Sequence, residues 1–153
     1  MYYLVTFADK LMSKTLNRVE NQAKKLNFFD RIYLENESSL SKEFKEKFKD
    51  KLLSGSKGYG YWSWKPEIII NVLNNINEGD CLLYIDAGCH LNYNGKERLQ
   101  EYFHILEKDK NSIIAFQANE PNNKNSTLHH DGRQLISQKI YEWVKGDLID
   151  YFN

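Results

Sequence analysis

The feature that most constrains this chain is an alternation. Short runs rich in β-branched, aromatic and aliphatic residues recur at 2–7 (YYLVTF), 29–36 (FDRIYLEN), 81–86 (CLLYID) and 112–117 (SIIAFQ). Between them lie longer stretches with helical spacing. In 8–27, Leu11, Thr15, Val19, Ala23 and Leu26 fall near one helical face. In 40–53, Leu40, Phe44, Phe48 and Leu52 share a face opposite lysines and glutamates, with Ser38 or Ser39 as the expected cap. Pro66 suits the first turn of a helix over 66–76, and 94–109 reads as another. Strands alternating with helices predict an α/β fold, with a mostly parallel, Rossmann-like sheet and helices on both faces. In such sheets ligands sit outside the carboxyl ends of the strands. The residues after YYLVTF and after CLLYI are therefore the places to look.

Size and charge narrow the function. A chain of 153 residues predicts a single domain, 1–153, able to bury a core. Its 21 basic and 21 acidic side chains balance, which argues against a general nucleic-acid binder. No apolar run approaches membrane-spanning length and no secretory signal is expected at the start, so the reading is a cytoplasmic protein. Cys81 and Cys89 flank one strand end, too far apart along an extended chain for a disulfide, in keeping with a reducing compartment.

The chemistry gathers between Gly58 and Asn92. Asp86 closes an apolar strand, where a carboxylate needs a cation or a hydroxyl partner. A divalent metal bridging to a diphosphate would supply one; a side-chain turn cap is the alternative. Gly88, just beyond, lets a ligand approach the backbone. Lys65 precedes Pro66, which biases it toward an extended backbone. A lysine ahead of a helix N-terminus can meet a phosphate that the helix dipole also attracts. Trp62 and Trp64 alternate, so in an extended loop they face the same side, either to stack on a base or sugar or to pack over the sheet. Thr6, Phe7 and Asp9 end the first strand; Asp9 either holds a base or ribose or caps the following helix. His90 is a weaker ligand candidate. The cluster His129, His130 and Asp131 lacks helical metal-ligand spacing and reads as a solvated loop. Trp143–Asp147 reads either as an acceptor-site element or as part of an amphipathic helix. P-loop, Rossmann-glycine, zinc and nucleophile-elbow signatures are lacking.

GYGYWSWKP, an apolar helix, EGDCLLYIDAGC and the later YEWVKGDLIDYF together resemble bacterial capsule and lipopolysaccharide-type glycosyltransferase-like proteins. More coarsely they resemble the GT-A superfamily. The resemblance implies a GT-A-like nucleotide-sugar-binding domain that transfers a sugar to a cell-surface glycan acceptor, with peripheral membrane association open to it. By analogy Asp86 stands at the first carboxylate of an Asp-x-Asp metal motif and Gly88 at the second. The resemblance thus brings Mn²⁺ or Mg²⁺ into view, while the glycine weakens that implication. Lys65 matches a basic residue that contacts the diphosphate. The implied donor-binding set is Thr6, Phe7, Asp9, Trp62, Trp64, Lys65, Asp86 and Gly88, and no catalytic base is assigned. Related chains run past DLIDYF, so the resemblance also implies a shortened, C-terminally incomplete protein. The rival reading is a degenerate glycosyltransferase-like module that binds without catalysing.

Overall fold

The computed structural model describes residues 1–108 and 113–114. By its contacts the chain divides into a unit Met1–Asp109 and a unit Lys110–Asn153. The strand expected at 112–117, the His129–Asp131 cluster and the Trp143–Asp147 segment lie outside the described residues, except for Ile113 and Ile114.

The first unit is an α/β fold around a parallel three-stranded sheet of order β2-β1-β3. Strand β1 (Tyr2–Phe7) lies in the middle. It pairs in register with β2 (Arg31–Glu35), Val5 opposite Tyr33, and with β3 (Cys81–Tyr84), Val5 opposite Tyr84. Successive side chains of a strand point to opposite faces, and β1 uses both. Leu4 packs with Val19 and Ala23 of α1 (Lys14–Leu26) on one face. On the other, Val5 and Phe7 pack with Phe44 of α2 (Lys42–Lys47) and with Trp64, Ile68 and Val72 of α4 (Trp64–Leu73). The chain thus steps from β1 to β2 over one face and returns past β1 to β3 over the other. This is what two crossovers of the same hand require. The last described helix, α5 (Lys96–Lys108), packs through Phe103 onto Tyr2, Phe28 and Phe29, a cluster with ring centroids 4.8–6.4 Å from Phe103.

Several element boundaries differ from the sequence expectation, each for a local reason. The first helix begins late: Asp9 Oδ1 accepts from Met12 N at 3.0 Å and sets a 3₁₀ turn, Lys10–Met12, before α1. Leu11 therefore leaves the apolar stripe and is exposed, while Val19, Ala23 and Leu26 stay buried. The cap of α2 is Ser41, whose Oγ accepts from Phe44 N at 3.1 Å. Ser38 and Ser39 belong instead to a 3₁₀ turn, Glu37–Ser39, capped by Asn36. Helix α2 stops at Lys47, because Phe48 leaves the helical region at φ −111°. Phe48 and Leu52 still reach the core through the turns that follow.

The segment before α4 departs furthest from expectation. Instead of an extended loop it forms a single helical turn, α3 (Gly58–Tyr61), with positive φ from Gly58 through Trp62. Lys65 is not extended either; it is the second residue of α4. The preference that Pro66 imposes on its predecessor yields here to packing. Trp64 is buried against Phe7 with ring centroids 4.0 Å apart, and its indole Nε1 donates to Gly58 O at 2.9 Å. Trp62 and Trp64 consequently do not share a side: Trp64 is 5% exposed and Trp62 44%.

Candidate functional site

The order β2-β1-β3 sets the carboxyl ends of β1 and β3 side by side, at the edge where parallel sheets of this kind bind their ligands. Strand β3 runs out toward it. Ile85 N still donates to Val5 O at 3.2 Å, and Asp86 is the next residue. Helix α4 starts on the neighbouring face and carries Lys65 in its first turn. The two meet: Lys65 Nζ lies 2.8 Å from Asp86 Oδ1. Tyr84, two residues before Asp86 along the strand, donates its phenol to the same Oδ1 at 2.5 Å. The Lys65 ammonium also lies 5.5 Å from the Tyr84 ring centre and 6.0 Å from the Trp64 ring.

The electrostatics follow from this triad. Partial burial pushes the Asp86 carboxyl up, but the hydrogen bonds from Lys65 and Tyr84 and the lysine's charge outweigh it, leaving the carboxyl below its ordinary range. Burial, then the hydrogen bond to the Asp86 carboxylate, pushes the Tyr84 phenol well up, so it stays a donor at any physiological pH. The Lys65 and Asp86 side chains are 30% and 53% exposed. A pair this open is held by no more than about 1 kcal/mol. An incoming anion can therefore displace Asp86 from the lysine at small cost.

The donor set does not fit a resident divalent cation. Asp86 offers one carboxylate, and its Oδ1 already serves an ammonium and a phenol. Gly88 contributes no side-chain donor. Among the described residues no three or more His, Cys, Asp or Glu side chains cluster as metal ligands would. His90, the weaker ligand candidate, turns toward α1, with Nδ1 3.1 Å from Gln22 Nε2.

The other expected residues fall into three groups. Thr6 and Phe7 are buried, as is Trp64, so they build the floor of this edge and present no side chain to a ligand. Gly88 is exposed, and a Cβ there would meet only open space, so close approach of a ligand does not require a glycine. Asp9 does cap the turn that follows it, and it also lines a cleft of about 640 Å³ beside β1 and β2 with Ala8, Asn36, Glu37 and Tyr59. Lys65 and Asp86 are not among the residues lining that cleft. Burial, followed by the charges of Glu37 and Asp9, raises the Tyr59 phenol, so the cleft carries a neutral phenol between two carboxylates.

Three participants were not singled out in the sequence. Tyr84 was legible in principle, because residues two apart on a strand share a face. Arg18 and Gln22 of α1 were not. Arg18 donates to Ala87 O at 2.5 Å and to Cys89 O at 2.7 Å, and Gln22 Oε1 accepts from Leu91 N at 3.2 Å. Together they clamp the segment after Asp86 to α1. Polar residues at i, i+4 beside an apolar stripe look like any solvated helix face, so only the fold distinguishes them.

Compared with known proteins, the chain matches no family model, no curated protein and no solved structure.

Proposed function

We propose that the carboxyl edge of β1 and β3 binds the diphosphate of a nucleotide-sugar. On this reading the chain is a GT-A-like glycosyltransferase, or the donor-binding portion of one, serving a cell-surface glycan acceptor. The observation that carries this reading is the Lys65–Asp86 contact of 2.8 Å at the carboxyl edge of a parallel sheet. A half-exposed lysine in the first turn of a ten-residue helix offers a positive charge beside the helix's own partial charge. In sugar transfer the bond between the anomeric carbon and the diphosphate oxygen breaks, and the electron pair leaves with the diphosphate. Lys65 would neutralise that developing charge. The acceptor hydroxyl forms the new bond to the anomeric carbon and gives up its proton; the described residues assign no base for it. Asp86, released from Lys65, would face the sugar hydroxyls. Because the donor set does not fit a resident cation, no step here is routed through one. Among the described residues no helix is long and apolar enough to cross a membrane, so the contribution of this part to a membrane-bound glycan pathway would be peripheral.

A second reading, a degenerate module that binds without transferring, is favoured by the single carboxylate and by an ion pair already satisfied within the protein. Thermal unfolding with UDP-, GDP- and CMP-sugars, with and without Mn²⁺, tests both, since a ligand of the native state raises its apparent stability. The donor reading expects a rise with one base that Lys65→Ala abolishes. Asp86→Asn then separates the roles. If Lys65 holds the diphosphate, losing its intramolecular partner tightens binding; if Asp86 holds a metal, binding weakens and its Mn²⁺ dependence disappears. No rise with any nucleotide-sugar rejects the donor site.

A further inference from the structure

The five residues from Gly58 through Trp62 have φ values of 57°, 47°, 84°, 56° and 59°. Single residues in this region are common; five in succession make a full turn of left-handed helix. Backbone bonds close it, from Tyr61 N to Lys57 O at 2.8 Å and from Trp62 N to Gly58 O at 3.1 Å. Two of the five are glycines. The other three, Tyr59, Tyr61 and Trp62, each bear a strain of about 1–2 kcal/mol in this hand. The surroundings hold the turn in place. Gly60 N donates to Ser56 Oγ at 2.8 Å, Ser63 Oγ donates to Gly60 O at 2.8 Å, and the Trp64 indole donates to Gly58 O. Tyr59 turns inward beside Phe7, with ring centroids 6.2 Å apart.

Packing accounts for Tyr59 but not for its neighbours. Tyr61 is 65% exposed and Trp62 44%. The strained turn therefore holds two large aromatic rings toward solvent, and strain kept for exposed side chains marks a functional segment more often than a structural one. The Trp62 ring is backed by the turn itself: a Cβ at Gly58 would overlap it. An exposed lysine, Lys57, has its ammonium 5.7 Å from the centre of the same ring. A flat apolar ring, the phenol of the adjoining Tyr61 and a mobile-stemmed cation over the ring complement a ligand with an apolar C–H face and a negative charge.

We propose that this left-handed turn docks an acidic glycan, with a pyranose ring lying on the Trp62 indole and its carboxylate on Lys57. That the glycan is the sugar acceptor rests on the donor reading, since Lys65 lies three residues further on; that the turn binds it does not.

The test follows the indole N–H signals of the ¹⁵N-labelled full chain during titration with trigalacturonic acid and, separately, maltotriose. The chain has three tryptophans, and the signal lost in Trp62→Phe identifies Trp62. The proposal expects saturable movement of that signal, with the acidic trisaccharide bound at least fivefold more tightly than the neutral one. Trp62→Ala should weaken binding tenfold or more, and Lys57→Gln should bring the two sugars within twofold of each other. If Trp62→Ala fails to fold by circular dichroism, Lys57→Gln, on an exposed side chain, still decides the matter. A Trp62 signal that neither sugar moves, or equal affinities that Lys57→Gln leaves unchanged, overturns the proposal. So does a shift that depends on protein concentration alone, which would make the turn a self-association surface. Nucleotide-sugar thermal shifts, measured in parallel on Lys57→Gln, keep the two sites apart. A retained nucleotide response with lost preference for the acidic trisaccharide supports the platform, whereas glycan binding without any nucleotide response removes the donor site alone.

Discussion

Thr6 sits in the middle strand, fully buried, and its hydroxyl has no hydrogen-bond partner among the described residues. An unsatisfied buried hydroxyl costs about 1–3 kcal/mol, and valine offers nearly the same shape without it. Thr6→Val should therefore raise the unfolding free energy by about 1 kcal/mol in urea denaturation; a loss of stability would mean the hydroxyl has a use in the native state. Asp86 makes the opposite case, a polar group whose partners define it. Its carboxyl lies below the ordinary value in the folded protein, with Lys65 and Tyr84 overcoming the effect of burial. A depressed native value contributes stability that is complete above the unfolded value of about 3.9 and is lost as pH falls through the folded one. Melting curves from pH 6 downward should show wild type losing its advantage over Asp86→Asn below about pH 4, by no more than about 1 kcal/mol because the pair is half-exposed. A constant difference across that range would mean the ion pair contributes nothing.

Elements carry the next set of consequences. In the left-handed turn, Gly60 has φ +84°, and a Cβ there would come within 2.8 Å of Leu52 Cδ2 and 3.4 Å of the Lys51 backbone. Gly60→Ala should cost about 1–3 kcal/mol. Tyr61→Gly should do the reverse: it relieves about 1–2 kcal/mol of strain while adding about 0.5–1 kcal/mol of backbone entropy to the unfolded chain, for a net gain of about 0.5–1 kcal/mol. Equal melting temperatures for these two variants would contradict a strained turn. The clamp on the segment after β3 predicts a local effect. Gln22→Ala removes the acceptor for Leu91 N, so hydrogen exchange at that amide should quicken while the amides of β1 keep their protection. Elements were also where reading the residues worked best and failed most clearly. Strand β1 was legible to the residue, since a run such as YYLVTF has few alternatives. The extended backbone on which the same-side placement of Trp62 and Trp64 depended does not form. Glycine, tyrosine and tryptophan carry no local signal for a left-handed turn, and the burial of Trp64 that fixes it is a contact with a residue nearly sixty positions away. The meeting of Lys65 and Asp86 was legible because a strand's end and the start of a crossover helix share the carboxyl edge of a parallel sheet. The grip of Arg18 and Gln22 on the next segment was not, because it depends on how α1 sits against a loop far along the chain.

At the scale of the whole unit, Trp64 is the joint. It touches β1 through Phe7, closes the turn before it through Gly58 and begins the helix that carries Lys65. Trp64→Ala should cost about 3–5 kcal/mol in chemical denaturation, and any nucleotide-sugar response should fall with it, because the same side chain positions the lysine. A small cost with an intact response would separate the core from the site. The sheet order has a further consequence for how this unit is made. Strand β1 emerges from the ribosome before either of its neighbours, yet it is the strand that both of them flank. Until Tyr84 has been synthesised, one whole side of it offers unpaired amides and carbonyls to any passing β-segment. The sheet can therefore close only once residue 84 has been made, and until then one edge of the middle strand stays open to mispairing.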